Sequence, residues 1–490
     1  MKVISRFLSM LIPALILISA GRPAFSADMN LPDIGTQANA TISLEEEYRL
    51  GSMVVRGLRD QGQIIEDPEI NEYLQNLGHQ LASYTKVSGQ EFQFFAVKDS
   101  EINAFALPGG FVGINAGLLL ATRSESELAG VLAHEISHVT QRHIARSIAA
   151  ESRNTIVSSA AMLAAILVGA AGSPDAAMAG IAAMQSVALN NQMTFSRANE
   201  TEADNVGINL LTRAGYDPNG MWQFFEVLQR QHGTANEADI PSILRSHPVT
   251  LERIAETRSR AAKYNITATD SMTYTLIRER MRVAMTPASE SPLQYYLGKT
   301  EHEESMGVAQ QYGKALALVQ SNQGAEAVRL LISLQANHLT VMQFHTALGL
   351  AQLASNNQQA AIATLARAYE LFPRNIPVTV RYAEVLLQAG NPKLAHEVLL
   401  DLFNTVVPTP EQTKLIAMAA NSAGEVAEAY YYMAEYQLMG GDLSLAMSQL
   451  QMALAVPNVT PIQRARFQAR LEEIQKAMPR KIRTNNTPEP

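Results

Sequence analysis

The sequence predicts a mostly α-helical protein of the α+β class, with a small sheet in its first half and a solenoid of paired helices in its second half. Apolar residues recur at helical spacing along most of the chain, and 92–97 and 111–114 have the composition of strands. Small residues recur with a period of 34 between Ala315 and Ala395, which is typical of stacked helix pairs. The 490 residues, of which 47% are hydrophobic, are enough for two or three domains.

The start of the chain has the pattern of a secretory signal peptide. Lys2 and Arg6 precede an apolar stretch at 7–20, and small residues lead up to Ser26. We expect cleavage after Ser26 or after Ala27, and export to the periplasm of a bacterium. An uncleaved membrane anchor is the alternative, although the apolar stretch is short for a membrane span.

The composition excludes several classes of protein. The chain has no cysteine, so it forms no disulfide and carries no lipid on a cysteine. Its formal net charge changes from −8 to −11 when the three basic residues before position 27 are removed. An acidic chain without basic clusters binds nucleic acid poorly, and we therefore expect no nucleic-acid partner.

Local signals place the first helices. Periodicity predicts helices at 44–60 and 67–84, before the strands named above. Ser124 and Glu127 have the spacing of a capping box, which predicts that a long helix begins there. No glycine or proline interrupts 132–150, so we expect this helix to continue through that segment.

This helix carries the segment His134 to His138, which has the pattern H-E-x-x-H. Residues four apart share one face of a helix, so the imidazoles of His134 and His138 can bind the same metal ion. Glu135 can then act as the general base on a metal-activated water, as in zinc proteases. The alternative is a pair of core histidines, which would bury polar rings without partners.

A third ligand is expected, because catalytic zinc takes three protein ligands and one water. Glu200 and Asp204 are four residues apart on a predicted helix that ends at Gly215, and their face continues into apolar residues. Glu200 is the candidate ligand, and Asp204 would accept the free N–H of a ligating histidine. The alternative is a solvated acidic helix start, an interpretation that we keep for Glu202.

Four motifs in the same order resemble a known family. H-E-x-x-H, together with the segments 103–110, 199–204 and 247–254, resembles the zinc metalloproteases that include HtpX and the CAAX prenyl proteases. The resemblance covers roughly 44–262. It implies a zincin-like metallopeptidase domain with one Zn²⁺ ion per chain, in which Glu200 is the third zinc ligand.

His247 is the remaining histidine with a functional interpretation, because it lies in a predicted loop before Pro248. It could stabilise the oxyanion of the transition state, or it could occupy the open position of the zinc ion in a resting, self-inhibited form. A structural loop histidine is the alternative. The H-P-x-x-x-x-R pattern shared with the family favours a functional role, and we group His247 with Glu135 as catalytic.

Two segments between these motifs have more than one interpretation. The strand at 111–114 is either an exposed edge strand, to which an unfolded substrate could add as an extra strand, or an ordinary core strand. The alanine-rich segment 156–172 could span a membrane, lie on a membrane or partner surface, or pack against the catalytic domain. It is short and weakly apolar for a span. We favour a helix–loop–helix flap at 156–189, with peripheral membrane contact as a further hypothesis.

The sequence becomes periodic in its second half. Ala327, Ala361 and Ala395 are 34 residues apart, and other small residues, turn residues and leucines recur in the same register. This is the tetratricopeptide pattern, whose stacked helix pairs present a concave surface to peptides or proteins. The period slips by half a repeat before Ala446, and 411–423 is the expected extra helix. The alternative is an unrelated helical bundle.

These signals divide the chain into five predicted parts. They are a signal peptide at 1–26, a zinc metallopeptidase domain at 27–265, connecting helices at 266–306, a tetratricopeptide repeat domain at 307–480 and a disordered tail at 481–490. With this order of parts, the whole chain resembles the periplasmic proteases that enhance β-barrel assembly.

This second resemblance implies an endopeptidase and chaperone-like factor that promotes the assembly of outer-membrane β-barrel proteins, degrades misassembled ones and so maintains the outer membrane. The implied partners are unfolded or misassembled outer-membrane proteins and, through the repeats, the β-barrel assembly machinery. The implied location is the periplasm, peripheral to the outer membrane. One alternative is a repeat-based scaffold or chaperone with a mostly silent metal site, and another is a general envelope quality-control protease.

Overall fold

The structure is a computed structural model that describes residues 42–85, 87, 89–150, 195–232, 241–297 and 306–477. The predicted signal peptide, the predicted flap at 156–189 and the predicted tail at 481–490 lie outside the described residues. Among the helices that are described, none has the length and hydropathy needed to cross a membrane.

Helices surround a small sheet in the described part up to residue 297. The elements are, in order, α1 (Leu44–Asp60), α2 (Pro68–Ala82), β1 (Gln93–Val97), β2 (Ala104–Leu107), β3 (Phe111–Asn115), α3 (Ala116–Ala121), α4 (Glu125–Thr140), α5 (His143–Ala150), α6 (Arg197–Ala214), α7 (Asn219–His232), α8 (Ser242–Ser246), α9 (Leu251–Ala261), α10 (Met272–Ala284) and α11 (Leu293–Leu297). The helices predicted at 44–60 and 67–84 correspond to α1 and α2 and are confirmed.

The sheet has the strand order β1-β3-β2, with β1 parallel and β2 antiparallel to the central strand β3. The hypothesis that 111–114 is an exposed edge strand is therefore wrong, because β3 is hydrogen-bonded on both sides and all of its residues are buried. A strand that is covered on both faces needs no polar alternation. In the described part of the chain, β3 is the one strand that pairs with β2, which also packs against α4. The strand β2 is absent from the predictions because four residues are too few for a period-two pattern.

Gly109 and Gly110 form the turn between β2 and β3, and both have positive φ angles, of 81° and 94°. A Cβ atom on Gly109 would lie 2.3 Å from Cα of Tyr48, and one on Gly110 would lie 1.9 Å from the carbonyl oxygen of Glu91. Glycine combines this backbone conformation with such a close approach. This requirement explains the double glycine of the segment 103–110.

The helix that carries His134 ends earlier than predicted. α4 stops at Thr140, and Arg142 takes a left-handed conformation with a φ of 51° before α5 begins. That conformation costs an L-residue roughly 1–2 kcal/mol. The guanidinium of Arg142 offsets the cost by donating to the carboxylate of Glu47 at 2.6 Å and to the carbonyl of Ile42 at 2.8 Å. The expectation of one helix through 132–150 is thus wrong, because a tertiary contact ends the helix where the sequence has no breaker.

The helix α10 belongs to two hydrophobic cores. Tyr274, Ile277 and Met281 pack into the core formed by the sheet and its surrounding helices. Leu276 and Val283, on another face of α10, pack into the core of the first repeat helices. The N-terminal half and the solenoid are therefore packed together through a shared helix.

The C-terminal half is a solenoid of helices. They are α12 (Val308–Gln320), α13 (Gly324–Asn337), α14 (Met342–Ala354), α15 (Gln358–Leu371), α16 (Ile376–Gln388), α17 (Pro392–Phe403), α18 (Pro410–Ser422), α19 (Val426–Met439), α20 (Leu443–Ala455) and α21 (Pro461–Ala477). The pairs are α12–α13, α14–α15, α16–α17 and α18–α19, whose first helices begin 34 residues apart, at Val308, Met342, Ile376 and Pro410. The prediction that 411–423 is an extra helix is therefore wrong, because α18 continues the period as the first helix of the fourth pair, and α20 and α21 follow that pair.

Small residues at the predicted register fill the contacts between paired helices. Ala327, Ala361 and Ala395 have no exposed surface, and neither does Leu365. A Cβ atom on Gly349 would lie 2.6 Å from Cγ of Leu365, so the two helices approach more closely than a side chain would allow. The turns keep the same period, with positive φ angles at Asn322, Asn356, Gly390 and Gly424.

The solenoid contacts the N-terminal half at the start of α2. Arg381 of α16 donates to Asp67 and to Glu69, with N–O distances of 2.9 Å in both pairs. Arg280 of α10 donates to the same carboxylates at 2.8 Å and 3.0 Å. Burial opposes ionisation of Asp67, but Arg280 and Arg381 outweigh it and hold the pKa of Asp67 well below its usual range.

A second contact lies farther along the solenoid. Arg56 of α1 donates to the carbonyl oxygen of Gly440, in the turn between α19 and α20. Among the described residues, the repeat array thus contacts the N-terminal half at the core shared through α10 and at two further places that are far apart in the sequence.

Candidate metal centre

Ser124 begins the helix that carries the H-E-x-x-H motif. Its hydroxyl accepts the N–H of Glu127 at 3.2 Å, as an N-cap does. The carboxylate of Glu127 accepts the backbone N–H of Arg123 at 2.7 Å, where a capping box would require the N–H of Ser124. The predicted start of the helix is confirmed, but the reciprocal half of the capping box is wrong, since Arg123 competes for this carboxylate with its guanidinium as well.

Gly207 allows α6 to lie close against α4. A Cβ atom on Gly207 would lie 3.3 Å from the backbone nitrogen of His134 and 2.7 Å from the methyl group of Met221. The end of α6 at Gly215, with a φ of 86°, agrees with the prediction for this helix, and Ser196 caps its start. The close packing brings the first turns of α6 to the face of α4 that carries the motif histidines.

Four buried side chains direct their ligand atoms at one another. Nε2 of His134 and Nε2 of His138 lie 3.0 Å apart, and each lies 3.5 Å from an oxygen of Glu200. Nδ1 of His247 lies 3.3 Å from Nε2 of His134 and 2.9 Å from Oε1 of Glu200. All four ligand atoms lie within 4.8 Å of one another. The structure brings together the three predicted metal ligands and adds His247 to them.

This arrangement has the dimensions of a tetrahedral zinc site. Ligand atoms about 2.0–2.2 Å from a tetrahedral metal lie roughly 3.3 Å from one another. The closest separations between neighbouring residues, which involve both oxygens of Glu200, range from 2.9 to 3.5 Å, and one atom from each residue lies within 4.8 Å of the others. Imidazole nitrogens and one carboxylate are also a donor set that catalytic zinc uses. The residues present therefore fit such an ion.

Arg253 and Asp204 lie outside this ligand set and contact its members. Oδ1 of Asp204 lies 2.9 Å from Nδ1 of His134, so that Nε2 of this ring faces the centre. Arg253 donates to both oxygens of Asp204 at 2.8 Å and 2.9 Å and to the carbonyl of Pro248 at 2.9 Å, and its Nη1 forms an ion pair with Oε2 of Glu200 at 2.6 Å. One guanidinium thus joins both carboxylates to the loop of His247, which explains the H-P-x-x-x-x-R pattern.

The electrostatics of the cluster favour a cation at its centre. Burial lowers the pKa of His134, but hydrogen bonds to Asp204 and Glu200 and their charges outweigh burial and raise it to about 10. Burial raises the pKa of Glu200, whereas His247 and His134 bring it well below its usual range. Burial, together with His134 and His247, lowers the pKa of His138 far below its usual value. A proton on one imidazole holds the positive charge that the carboxylates attract, and a metal ion would replace it.

Glu135 has the environment of a general base. It is completely buried, and neither of its carboxylate oxygens has a hydrogen-bond partner among the residues that the structure describes. A buried carboxylate without donors is costly, so this position calls for a further polar group, such as an attacking water. Nε2 of His247 lies 3.7 Å from Oε1 of Glu135, which is too far for a hydrogen bond. His247 therefore lies between the ligand set and the candidate base.

A very small apolar cavity of about 10 Å³ adjoins Glu135 and His247. Its apolar lining comes from α4, α7, α8 and the loop after His247: Val131, Phe224, Phe225, Leu228, Ile243 and Val249. A cavity of this size has room for about one water molecule and none for a side chain.

His143 has no predicted role, and Glu202 has only a predicted solvated position. His143 is completely buried, with its Nδ1 2.9 Å from Nδ1 of His138 and its Nε2 3.1 Å from Glu202. Glu202 is only partly exposed, because it also accepts from Arg146 at 2.9 Å. Phe195 packs against His138 with ring centroids 4.0 Å apart. The available signal was a third histidine five residues after His138, but an unbroken helix would place it on a different face.

Comparisons with known proteins agree with this geometry. The sequence profile of peptidase family M48 matches residues 68–261, and a tetratricopeptide repeat profile matches 352–419. The beta-barrel assembly-enhancing protease of Yersinia pestis is 33% identical over 451 residues, which are 91% of this chain and 92% of that protein. The protein of the same name in Escherichia coli (strain K12) is 31% identical over 470 residues, 94% of both chains. A putative one in Vibrio cholerae is 38% identical over 309 residues, 62% of this chain and 63% of that protein.

The fold, the buried ligand set and the M48 match define a metallopeptidase that continues into tetratricopeptide repeats. The chain belongs to peptidase family M48 and, within it, to the family of the beta-barrel assembly-enhancing proteases. The predicted fold class, a metallopeptidase domain with a small sheet followed by an α-solenoid, is confirmed. The roles of the individual site residues and the five domain boundaries stay predictions.

Proposed function

We propose that this chain is a periplasmic zinc endopeptidase that promotes the assembly of outer-membrane β-barrel proteins and degrades those that are misassembled. The observation that carries the proposal is the buried cluster of His134, His138, Glu200 and His247 beside Glu135. The names of the relatives connect them with β-barrel assembly. The signal-peptide pattern supports export to the periplasm.

His134, His138 and Glu200 are the proposed zinc ligands. Zinc, when bound, polarises the scissile carbonyl and lowers the pKa of the attacking water. Glu135 takes a proton from that water and delivers it to the leaving amine, and its unpaired oxygens are free to do so. Asp204, whose Oδ1 lies 2.9 Å from Nδ1 of His134, keeps Nε2 turned to the metal.

His247 is the proposed fourth ligand of the resting enzyme. Its Nδ1 is as close to Glu200 and His134, at 2.9 Å and 3.3 Å, as the three ligands are to one another. An oxyanion donor would have to leave room for the substrate carbonyl between itself and the metal. The enzyme is thus self-inhibited until His247 moves, and Arg253, which holds the carbonyl of Pro248, resists that movement.

The substrate is proposed to bind at β2. This strand is antiparallel to β3 and packs against α4, so an extended peptide that pairs with it lies beside the motif histidines. Unfolded β-barrel proteins offer extended segments with alternating apolar residues, which suits this mode of binding.

The solenoid is the proposed recognition element, for unfolded outer-membrane proteins and for the β-barrel assembly machinery. Tetratricopeptide arrays bind peptides and proteins on their concave face. A second candidate function is a repeat-based scaffold or chaperone with a mostly silent metal site, which the position of His247 favours. A general envelope quality-control protease is the third candidate.

Glu135→Gln separates these functions. The matched control is Glu252→Gln, on the exposed face of α9. Both variants and the wild type are produced as full-length chains in cells without the native gene, and β-barrel and soluble envelope proteins are quantified together with bound zinc.

A β-barrel protease predicts that Glu135→Gln retains zinc and accumulates misassembled β-barrel proteins, while Glu252→Gln behaves as wild type. Equal accumulation of soluble unfolded proteins would favour the general protease. The scaffold is supported if Glu135→Gln matches wild type and deletion of 307–480 abolishes function.

A further inference from the structure

A histidine and a carboxylate form consecutive contacts that begin at Nδ1 of His138, the nitrogen that does not face the metal centre. We infer that His143 and Glu202 are positioning residues for His138, whose tautomer they fix through two consecutive hydrogen bonds. The inference rests on the proposed role of His138 as a metal ligand. His143 and Glu202 act through His138, since neither belongs to the set of four ligand atoms.

The proton positions follow from the geometry. Nε2 of His138 faces His134 and Glu200, at 3.0 Å and 3.5 Å, and is the ligand nitrogen. Its other nitrogen, Nδ1, therefore carries the proton and donates to Nδ1 of His143 at 2.9 Å. Since Nδ1 of His143 accepts, the proton of that ring is on Nε2, which donates to Oε2 of Glu202 at 3.1 Å. One neutral tautomer of each ring satisfies both contacts.

Because these rings are buried, each of their N–H groups needs a hydrogen-bond partner within the protein. The side chains of His138 and His143 have no exposed surface, whereas that of Glu202 is 34% exposed and accepts from Arg146. The hydrogen bonds thus run from the metal centre towards the surface. Without an acceptor on residue 143, the Nδ1–H of His138 would be buried without a partner, and the ring would lose the contact that sets its orientation.

The break between α4 and α5 brings His143 to this position. In a continuous helix, a residue five positions after His138 would be rotated by about 140° around the axis. Arg142, with its φ of 51°, interrupts the helix, and His143 returns to within 4.8 Å of His138 between ring centroids. The costly conformation of Arg142, held by Glu47, therefore serves the metal centre.

The two motif histidines have different outer partners. His134 contacts the carboxylate of Asp204 directly, whereas His138 contacts a neutral imidazole, and the carboxylate of Glu202 is one hydrogen bond farther away. Three carboxylates are already buried in the cluster, at Glu135, Glu200 and Asp204. A neutral partner orients His138 without adding negative charge beside the metal.

Three substitutions of His143 in the full-length protein test the inference. His143→Asn places an amide oxygen near Nδ1 and keeps an acceptor for His138. His143→Gln places an amide nitrogen near Nε2 and keeps the contact with Glu202. His143→Phe keeps the ring volume and removes both. The control is His79→Phe, which removes a histidine contact with the carbonyl of Phe92, away from the centre.

Zinc affinity is measured by competition with a chromophoric chelator, and the Co²⁺-substituted proteins are compared by their d–d absorption bands. We expect His143→Phe and His143→Gln to weaken zinc binding about 10–100-fold and to shift the Co²⁺ bands, as loss of an outer partner does. His143→Asn should restore most of the affinity, and His79→Phe should match wild type.

A folded His143→Phe variant with wild-type zinc affinity and Co²⁺ bands would overturn the inference. If that variant does not fold, the comparison of Asn with Gln decides, and equal affinities of these two would also overturn it. Absence of zinc binding by the wild type would contradict the proposed function instead. Circular dichroism of each variant reports folding.

Discussion

The side-chain amide of Asn375, at the start of α16, donates to Oε1 of Glu72 on α2 over 3.0 Å. Glu72 is half-buried in this contact between the solenoid and the peptidase half. Burial is the main cause that raises the pKa of Glu72 to about 7, with a further contribution from the charge of Glu69 and an opposing one from Asn375.

This raised pKa predicts the pH dependence of stability. The carboxyl group binds a proton in the folded protein up to about pH 7, but in the unfolded chain only up to about pH 4.3. Its contribution to stability is therefore complete below about pH 4.3 and is lost as the pH rises through about 7. Glu72→Gln should raise the free energy of unfolding at pH 8, by at most about 4 kcal/mol, and with it the melting temperature, and it should do neither at pH 4.

Thermal unfolding at pH 4 to 8 measures this effect. Glu45→Gln, at an exposed position of α1, is the control for removal of one carboxylate. A melting temperature of Glu72→Gln that is below that of wild type at pH 8 would contradict the prediction.

His247→Ala should accelerate the cleavage of unfolded substrates. Removing the imidazole from its position 2.9 Å from Glu200 opens the proposed fourth site of the metal. A hydrogen bond to a charged group contributes about 1.5–3 kcal/mol, so we expect an increase on the order of 10-fold in initial rate. The measurement is the hydrolysis of an unfolded β-barrel protein by the zinc-loaded enzyme.

The control is His338→Ala, a histidine of the solenoid. Slower cleavage of every substrate, with zinc retained, would support oxyanion stabilisation by His247 in place of the resting-ligand role. Unchanged activity would leave His247 with a structural role only.

Glu200→Gln should remove the metal while leaving the fold in place. A neutral amide is a poorer zinc ligand than a carboxylate, and Arg253 would keep its two hydrogen bonds with Asp204. We expect loss of most of the bound zinc after dialysis, measured by atomic mass spectrometry, with an unchanged circular dichroism spectrum. Full zinc occupancy would refute Glu200 as a ligand, and Glu252→Gln provides the comparison.

Gly349→Ala should destabilise the solenoid. Its new Cβ atom would lie 2.6 Å from Cγ of Leu365 between two packed helices. Overpacking costs typically about 1–3 kcal/mol, which exceeds the gain of about 1 kcal/mol in helix propensity. Gly307→Ala is a matched control, since a Cβ atom there meets no atom within 4 Å. A melting temperature of Gly349→Ala equal to that of Gly307→Ala would show that the helices separate without cost.

The ligand set could be predicted because it depends on local periodicity. His134 and His138 share a face of α4, and Glu200 and Asp204 share a face of α6, whatever the rest of the chain does. The small residues of the repeats are predictable for the same reason, since each is repeated at one register. The close packing of α4 against α6 depends on the tertiary fold, and in the sequence only Gly207 gives a weak indication of that packing.

The remaining features depend on contacts between distant residues. Arg142 ends α4 through a carboxylate that is 95 residues away, at Glu47, and the place of His143 depends on that break. The central position of β3 depends on pairing with β2, which is too short to be recognised. The docking of the solenoid depends on Arg381 and Asp67, which are 314 residues apart. No local pattern contains this information.

The two contacts of the solenoid with the peptidase half make its middle section a closed ring. In an open array, a repeat can be gained or lost at the cost of its own packing. Here the solenoid contacts the peptidase half at Arg381 and again at Gly440. An added helix pair, each member about 20 Å long, would move Gly440 away from Arg56. The fourth pair, α18–α19, lies between the two contacts and contributes to the circumference of the ring. The number of helices between the two contacts is therefore constrained by ring closure, and recombination between repeats would break the ring.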